Sequence, residues 1–165
     1  DRAIKIDPEY ADSFFERARV FAKRNDYEKA IDDCNGAIKL EPENADLFNM
    51  RGYCEYQRGR YAAAIKDFDI AIGLKPKKPN FFIRRGLARA YKGDYKEAIS
   101  DYDKAIELDP DVTTTVNALK TAAKYKNRNY AGSAVDLMRF VRDIAVKVRS
   151  EYSKDEGEDQ ASSRS

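Results

Sequence analysis

The sequence contains no histidine and no tryptophan among its 165 residues, and its only cysteines are Cys34 and Cys54. Histidine is the commonest general base and the commonest metal ligand, so its absence removes the usual centre of hydrolytic and zinc chemistry. The two cysteines lie on different predicted helices and lack CxxC spacing, which disfavours a disulfide framework or a zinc site. We therefore expect no bound metal and no cofactor.

Long apolar runs and a strong net charge are also absent. No stretch approaches the roughly 18 apolar residues of a transmembrane helix. The net charge of +2 is too small for a chain built to neutralise many phosphates. Residue 1 falls inside a predicted helix ending, so we interpret the chain as lacking its natural N-terminus. The compartment therefore stays open, with the cytoplasm favoured.

One helix ending recurs four times in the chain at a constant interval. It reads AIKIDP, AIKLEP, AIGLKP and AIELDP, and its prolines, each 34 residues after the last, are Pro8, Pro42, Pro76 and Pro110. A 34-residue period predicts paired helices that stack into a solenoid. The predicted units are 11–44, 45–78 and 79–112, preceded by 1–10 as the tail of a truncated unit.

Within the units, residues of one type recur at fixed positions. Small residues allow close helix approach in the first helices, asparagine or glycine suits a left-handed helix end at the turn, and a tyrosine begins each second helix. These three series are Ala18, Gly52 and Gly86; Asn25, Gly59 and Gly93; and Tyr27, Tyr61 and Tyr95.

Over residues 1–112 these units resemble tetratricopeptide repeats. Their residue pattern resembles bacterial repeat proteins more than eukaryotic co-chaperones. The resemblance implies an all-α, superhelical solenoid of antiparallel helix hairpins with a C-terminal capping helix. The chain departs from the family pattern where arginine replaces the usual leucine. Because Asp33, Asp67 and Asp101 recur with the same period as Arg17, Arg51 and Arg85, we predict one Arg–Asp pair bridging each hairpin.

The region after the last unit is predicted to be a degenerate helical cap, 113–152, followed by a disordered acidic tail, 153–165. Residues 113–126 have helical spacing and are expected to cover the last repeat. Residues 130–152 carry an apolar stripe with heptad-like spacing, which favours a capping helix. Self-association through this stripe is the alternative.

The resemblance further implies that the first helices line a concave groove that binds peptides or partner helices. By alignment, the partner-binding residues are Phe15, Arg19, Asn49, Tyr53, Tyr56, Asn80, Ile83, Arg84, Leu87 and Tyr91. Rings supply apolar contact area, and amides can hydrogen-bond a peptide backbone. The alternative is that some of these rings pack against each other or under the C-terminal helix.

One familiar use of this fold, the two-carboxylate clamp for acidic chaperone tails, is not expected here. The five aligned positions hold Phe15, Arg19, Met50, Asn80 and Arg84, of which Arg84 alone matches the clamp pattern. A chaperone-tail role is therefore disfavoured.

Charge is distributed unevenly along the chain. Between Asp69 and Asp94 there are seven bases and no acid, which favours an acidic protein segment as partner. The alternative is a solvated face whose arginines are paired within the protein. Nucleic-acid binding is disfavoured because no motif that reads RNA or DNA accompanies these bases.

Catalysis is disfavoured because the sequence has no phosphate loop, no dinucleotide fingerprint and no metal-ligand cluster. We therefore predict a non-catalytic scaffold that binds a protein or peptide in its groove, as a monomer or weak homodimer. The alternative is a structural or assembly module that self-associates, or docks another domain, through the C-terminal helix.

Overall fold

The computed structural model describes residues 8–127, which form seven α helices and contain no β strand. The helices are α1 (Pro8–Lys23), α2 (Tyr27–Leu40), α3 (Ala45–Gln57), α4 (Tyr61–Leu74), α5 (Pro79–Lys92), α6 (Tyr95–Leu108) and α7 (Thr113–Asn127). A 3₁₀ turn, Pro110–Val112, precedes α7. The predicted helix at 130–152, the tail 153–165 and residues 1–7 of the predicted truncated unit lie outside the described residues.

The helices pair into hairpins, α1 with α2, α3 with α4 and α5 with α6. Successive hairpins stack because α2 packs on α3, α4 on α5 and α6 on α7. Within residues 8–127 the backbones of successive first helices approach within 8 Å between Cα atoms, whereas the backbones of the second helices stay farther apart. The first helices therefore lie on the inside of a curved array, which confirms the predicted all-α solenoid.

The turn inside each hairpin depends on one residue in the left-handed region. Asn25, Gly59 and Gly93 have φ values of 61°, 75° and 101°. The residue after each of them donates its backbone N–H to a carbonyl in the last turn of the first helix, at 2.9–3.0 Å, as in a Schellman cap. The predicted helix starts at the three tyrosines are confirmed as well.

The first and second helices of a hairpin meet through side chains of compensating size. A Cβ added to Gly86 would lie 2.6 Å from Cε1 of Tyr102, and one added to Gly52 would lie 2.9 Å from Cε1 of Phe68. Tyr102 and Phe68 are both fully buried. In the first hairpin the equivalent pair is Ala18 with Cys34, two small residues in one core cluster.

The predicted Arg–Asp pairs are present in all three hairpins. The guanidinium of each arginine donates to both carboxylate oxygens of the aspartate 16 residues later, at 2.6–3.2 Å. The aspartates are buried, so these bonds satisfy charges that would otherwise be costly inside the protein. Each guanidinium also lies 5.3–5.5 Å from the ring centre of the phenylalanine three residues earlier.

Helix α7 holds the position that a first helix would take in one more unit. It begins at Thr113, 34 residues after α5 begins at Pro79, and it packs on α6 as α5 packs on α4. Val116 and Leu119 are buried in one core cluster with residues of α5 and α6. Lys120 forms an ion pair with Asp103 of α6. The helix expected to cover the last repeat is therefore present, and it continues the register of the array.

Candidate partner-binding groove

The candidate groove is the inner face of α1, α3 and α5. All ten residues predicted to bind a partner lie on these three helices. Seven of them are partly exposed, namely Phe15, Arg19, Tyr53, Tyr56, Asn80, Arg84 and Tyr91. The other three are buried, namely Asn49, Ile83 and Leu87.

Four side chains in the middle of the groove form a connected set, which we call the groove cluster: Asn49, Tyr53, Gln57 and Arg84. Arg84 donates from Nη1 to Oδ1 of Asn49 at 3.3 Å, and its guanidinium carbon lies 5.3 Å from the centre of the Tyr53 ring. Gln57 donates from Nε2 to the Tyr53 hydroxyl at 2.7 Å. The cluster joins α3 to α5, so it fixes side chains of two neighbouring units.

The groove cluster packs against a residue of α2. Tyr27, the first residue of α2, meets the Tyr53 ring edge-on with 6.4 Å between ring centres. Asn49 is 6% exposed, so it serves to orient Arg84 and offers little surface of its own. The partly exposed Tyr53 and Arg84 therefore present an aromatic ring and a guanidinium in defined positions.

A second aromatic group packs within the array. Tyr56, Tyr61 and Tyr91, the tyrosine cluster, have ring centres 5.5–5.8 Å apart, and the Tyr61 and Tyr91 rings are stacked. Burial raises the pKa of the Tyr56 hydroxyl, and nearby Tyr91 raises it further. For Tyr56 and Tyr91 this packing favours the alternative interpretation, in which the rings contact each other across the junction between units.

Tyr61 was not among the predicted groove residues, although it completes the tyrosine cluster. The sequence did carry a signal for it, because Tyr61 occupies the same repeat position as Tyr27. Tyr27 and Tyr61 both begin second helices, and both contact a tyrosine of α3.

The expected exposure of Ile83 and Leu87 in the groove is corrected by the structure. They are 1% and 8% exposed because they belong to the core cluster that includes Val116 and Leu119 of α7. Alignment to the earlier units placed them on an open face, but α7 covers that face in the third unit.

At the α1 end, Phe15 is partly exposed and Arg19 forms an ion pair with Glu16 at 2.8 Å. At the other edge, Asn80 lies in the first turn of α5 and is also partly exposed. These residues extend the accessible part of the groove on either side of the groove cluster.

The basic stretch between Asp69 and Asp94 is largely paired within the protein. Arg85 contacts Asp69 and Asp101, both at 2.6 Å, and Arg89 contacts Asp101 at 2.8 Å. Two of its lysines bind Asp46 and Asp94 in the same way, Lys75 at 2.7 Å and Lys92 at 2.6 Å. Much of this positive charge is therefore compensated internally.

The two cysteines are free thiols and are fully buried. Burial raises the pKa of both Cys34 and Cys54 to about 12, so neither supplies a thiolate near neutral pH. In residues 8–127 no group of three or more potential metal ligands is found. No helix of this region has the length and hydrophobicity needed to cross a membrane.

Three models of the tetratricopeptide repeat match the sequence, at residues 1–32, 17–79 and 79–112. No curated protein matches the chain significantly. Among solved structures, the second repeat domain of human RPAP3 in complex with an HSP70 peptide is 29% identical, with a TM-score of 0.68. That match covers 72% of this chain and 98% of the RPAP3 domain.

Two further structures share the fold. The Arabidopsis OM64 repeat domain is 26% identical with a TM-score of 0.68, covering 71% of this chain and 96% of that domain. The Yersinia enterocolitica secretion chaperone SycD, in complex with a peptide of the translocator YopD, is 22% identical with a TM-score of 0.69. Its match covers 74% of this chain and 98% of SycD.

Proposed function

Because the chain belongs to the tetratricopeptide repeat family, we propose that it is a non-catalytic scaffold that binds a peptide or helix of a partner protein in the groove. The observation that carries this proposal is the groove cluster. It holds the Tyr53 ring and the Arg84 guanidinium in defined, partly exposed positions on neighbouring first helices. Pre-ordered aromatic and arginine side chains are the residues that most often dominate the energy of protein interfaces.

The similar structures support a peptide as the ligand class. The second RPAP3 repeat domain is described in complex with the HSP70 peptide SGPTIEEVD. The second repeat domain of Spaghetti, 31% identical over 62% of this chain with a TM-score of 0.60, is described bound to the HSP90 peptide SRMEEVD. Both ligands are short and acidic, which suits the arginines of the groove.

The mode of binding is proposed to differ from the two-carboxylate clamp. Of the five clamp positions, Arg84 alone carries the required type of side chain, and the position that requires a lysine at the α1 end holds Phe15. A phenylalanine offers an apolar contact where the clamp offers a cation. We therefore expect a partner segment with an apolar side chain near α1 and an acidic side chain near Arg84.

The test is selection of peptides of about twelve residues from a random phage-displayed library on the whole chain, followed by binding measurements with the synthetic peptides. For the Tyr53→Ala, Arg84→Ala double variant we expect the Kd, measured by fluorescence anisotropy, to rise at least about tenfold. The matched control is the Tyr10→Ala, Lys96→Ala variant, whose side chains are exposed outside the groove cluster.

Circular dichroism and urea unfolding of both variants establish that they are folded. If the selected peptides bind the double variant as tightly as the unmodified chain, they bind elsewhere and the groove proposal is wrong. If selection yields no peptide with measurable affinity, the peptide-binding proposal is wrong.

A further inference from the structure

The outer face of α4 is apolar where the outer faces of α2 and α6 are charged. At four repeat positions α4 carries small or apolar residues, namely Ala62, Ala63, Ile70 and Gly73. The same positions hold Glu28, Lys29, Gly36 and Lys39 in α2, and Lys96, Glu97, Lys104 and Glu107 in α6. A surface helix normally presents polar residues to solvent, so this face of α4 has the composition of a covered surface.

No other described helix covers this face. Among the described helices, only α3 and α5 approach the backbone of α4 within 8 Å between Cα atoms. Ala62, Lys66, Ile70 and Leu74, the outer row, are all exposed and follow at four-residue spacing, so they lie along one side of the helix. A Cβ added to Gly73 beside them would meet nothing within 4 Å.

The apolar members of the outer row are unusual in the part of the chain that the structure describes. Ile70 is 43% exposed and Leu74 is 37% exposed. The other large hydrophobic side chains that are exposed there, Tyr10 and Val20, lie on α1 at the start of the described region. Helix α4 belongs instead to the middle hairpin, so the end of the described region does not account for its exposed apolar face.

The sign of the charge beside the outer row is also inverted relative to the neighbouring units. Lys75 and Lys77 follow the end of α4, at repeat positions held by Glu41 and Glu43 after α2 and by Asp109 and Asp111 after α6. Lys77 lies three residues after Leu74, so the two Cα atoms are within about 11 Å of each other. The outer row therefore ends in a positively charged segment.

The positive charges of this face are not all compensated. Asp69, the exposed acid of α4, is paired with Arg85 at 2.6 Å, and Lys75 is paired with Asp46 at 2.7 Å. Lys66 and Lys77 form no ion pair within residues 8–127. Their ammonium groups are therefore available to the carboxylates of a partner.

Charge and composition together select the occupant of this face. A second copy docked through the same face would bring the lysines of both chains together, which is unfavourable. The acidic segment of this chain, 153–165, has one alanine as its only apolar side chain, so it offers Ile70 and Leu74 no large apolar contact. A segment that fits carries both acidic and large apolar side chains.

The shape of the face favours a helix as that segment. Ala62, Ala63 and Gly73 are small, so the backbone of a second helix can approach α4 closely. The 14 residues of α4 span about 21 Å. A partner helix of about four turns therefore matches the length of the face.

We propose that the outer face of α4 docks an acidic amphipathic helix of a partner protein. Its apolar side chains pack on Ile70 and Leu74, and its carboxylates bind Lys66 and Lys77. This face lies on the opposite side of the array from the groove, so the inference does not depend on the proposed function. The chain then holds two partners, one in the groove and one on α4.

The test uses the whole chain and helices selected on it from a phage-displayed library, in which one face of a helix in a stable three-helix scaffold is randomised. We expect the selected helices to be rich in acids and leucine, and Ile70→Lys to raise their Kd, measured by fluorescence anisotropy, at least about tenfold. Because α6 carries Lys104 at this repeat position, the change is compatible with the fold, which circular dichroism and urea unfolding check.

Charge reversal tests the acidic character of the occupant. We expect Lys66→Glu, Lys77→Glu to raise the Kd of the selected helices at least about tenfold. The matched control is Lys39→Glu, Lys96→Glu, at exposed sites on α2 and α6, for which we expect less than about a twofold effect. Replacing the acids of a selected helix by lysines should restore its binding to the Lys66→Glu, Lys77→Glu variant.

Four outcomes would overturn the inference. They are a selection that yields no helix with measurable affinity, unchanged binding to Ile70→Lys, unchanged binding to Lys66→Glu, Lys77→Glu, and a dimer of the chain, seen by sedimentation equilibrium, that Ile70→Lys dissociates. The Tyr53→Ala, Arg84→Ala variant should bind the selected helices within about twofold of the unmodified chain, and a larger loss would place them in the groove and contradict the inference. If helices bind α4 but no peptide binds the groove, the proposed function is wrong while this inference stands.

Discussion

Arg51 donates from Nη1 to Oδ1 of Asn35 at 2.7 Å, across the junction between the first and second hairpins. The same guanidinium binds Asp67 through Nε and Nη2, so one side chain connects three helices. Arg85 repeats the arrangement, because it contacts Asp69 of the preceding hairpin and Asp101 of its own hairpin. Arg51 and Arg85 therefore join neighbouring units as well as the two helices of one hairpin.

The first prediction concerns Asp67, a buried member of this network. Replacing Asp67 by alanine leaves the Arg51 guanidinium without its carboxylate partner in a largely buried position. We expect the free energy of unfolding, measured by urea denaturation, to fall by about 3 kcal/mol.

The matched control for Asp67 is Asp69→Ala on the same helix. The Asp69 side chain is 49% exposed, so solvent can replace its ion pair with Arg85. We expect a loss of less than about 1 kcal/mol. Equal losses for the two variants would contradict the assignment of the larger role to Asp67.

The second prediction concerns the compensating sizes at the hairpin contact. In the Gly86→Ala variant the new Cβ meets the buried ring of Tyr102, and we expect a loss of about 1–3 kcal/mol from overpacking. Gly73→Ala on α4 is the control, because a Cβ there has nothing within 4 Å. We expect Gly73→Ala to stabilise the protein by up to about 1 kcal/mol through helix propensity.

The pairing of Ala18 with Cys34 suggests a rescue of the second prediction. Adding Tyr102→Cys to Gly86→Ala recreates the small pair of the first hairpin. The double variant should lose less stability than the sum of the two single variants, because the two changes share one contact. Additive losses would show that the two sizes are not coupled.

Much of the fold could be predicted from the sequence because each repeat carries the same residue types at the same positions. The 34-residue period located the hairpin turns, and the parallel Arg and Asp series predicted contacts such as Arg17–Asp33. The contact between Arg51 and Asn35 could not be predicted in the same way. It depends on how far one hairpin rotates against the next, which is set by core packing rather than by a local pattern.

The candidate site was less predictable than the fold. Alignment placed Ile83 and Leu87 on the groove face, and they do lie on that face of α5, but α7 buries them. The role of α7 was obscured because it lacks the small residue and the proline that mark the other units. The remaining sequence signal for α7 as a further first helix was its start, 34 residues after the start of α5.

The third prediction concerns the buried thiols and the pH dependence of stability. Because burial raises the pKa of Cys34 and Cys54 to about 12, neither should react with a disulfide reagent at about pH 8 in the folded protein. Both should react in denaturant. A fast-reacting thiol in the native protein would contradict the buried placement.

The sign of the pH effect follows from the same pKa values. In the unfolded chain the thiols lose their protons near their ordinary pKa of 9.0, whereas in the folded protein burial raises the pKa of both thiols to about 12. The unfolded state thus binds fewer protons in this interval, so the free energy of unfolding falls as the pH rises from 9.0 toward 12. Urea denaturation across this range measures the decrease, and a Cys34→Ala, Cys54→Ala variant should show a smaller one.

The last prediction concerns Tyr56, which packs within the tyrosine cluster. Tyr56 lies between Tyr61 and Tyr91, and its hydroxyl is buried deeply enough that its pKa is raised. Tyr56→Leu removes two ring contacts, each worth about 0.5–1.5 kcal/mol beyond the area that they bury. We expect a loss of stability of about 1–3 kcal/mol, measured by urea denaturation. Tyr10→Leu, at a ring that is 65% exposed, should change stability by less than about 0.5 kcal/mol, and an equally small effect for Tyr56 would return that ring to the groove surface.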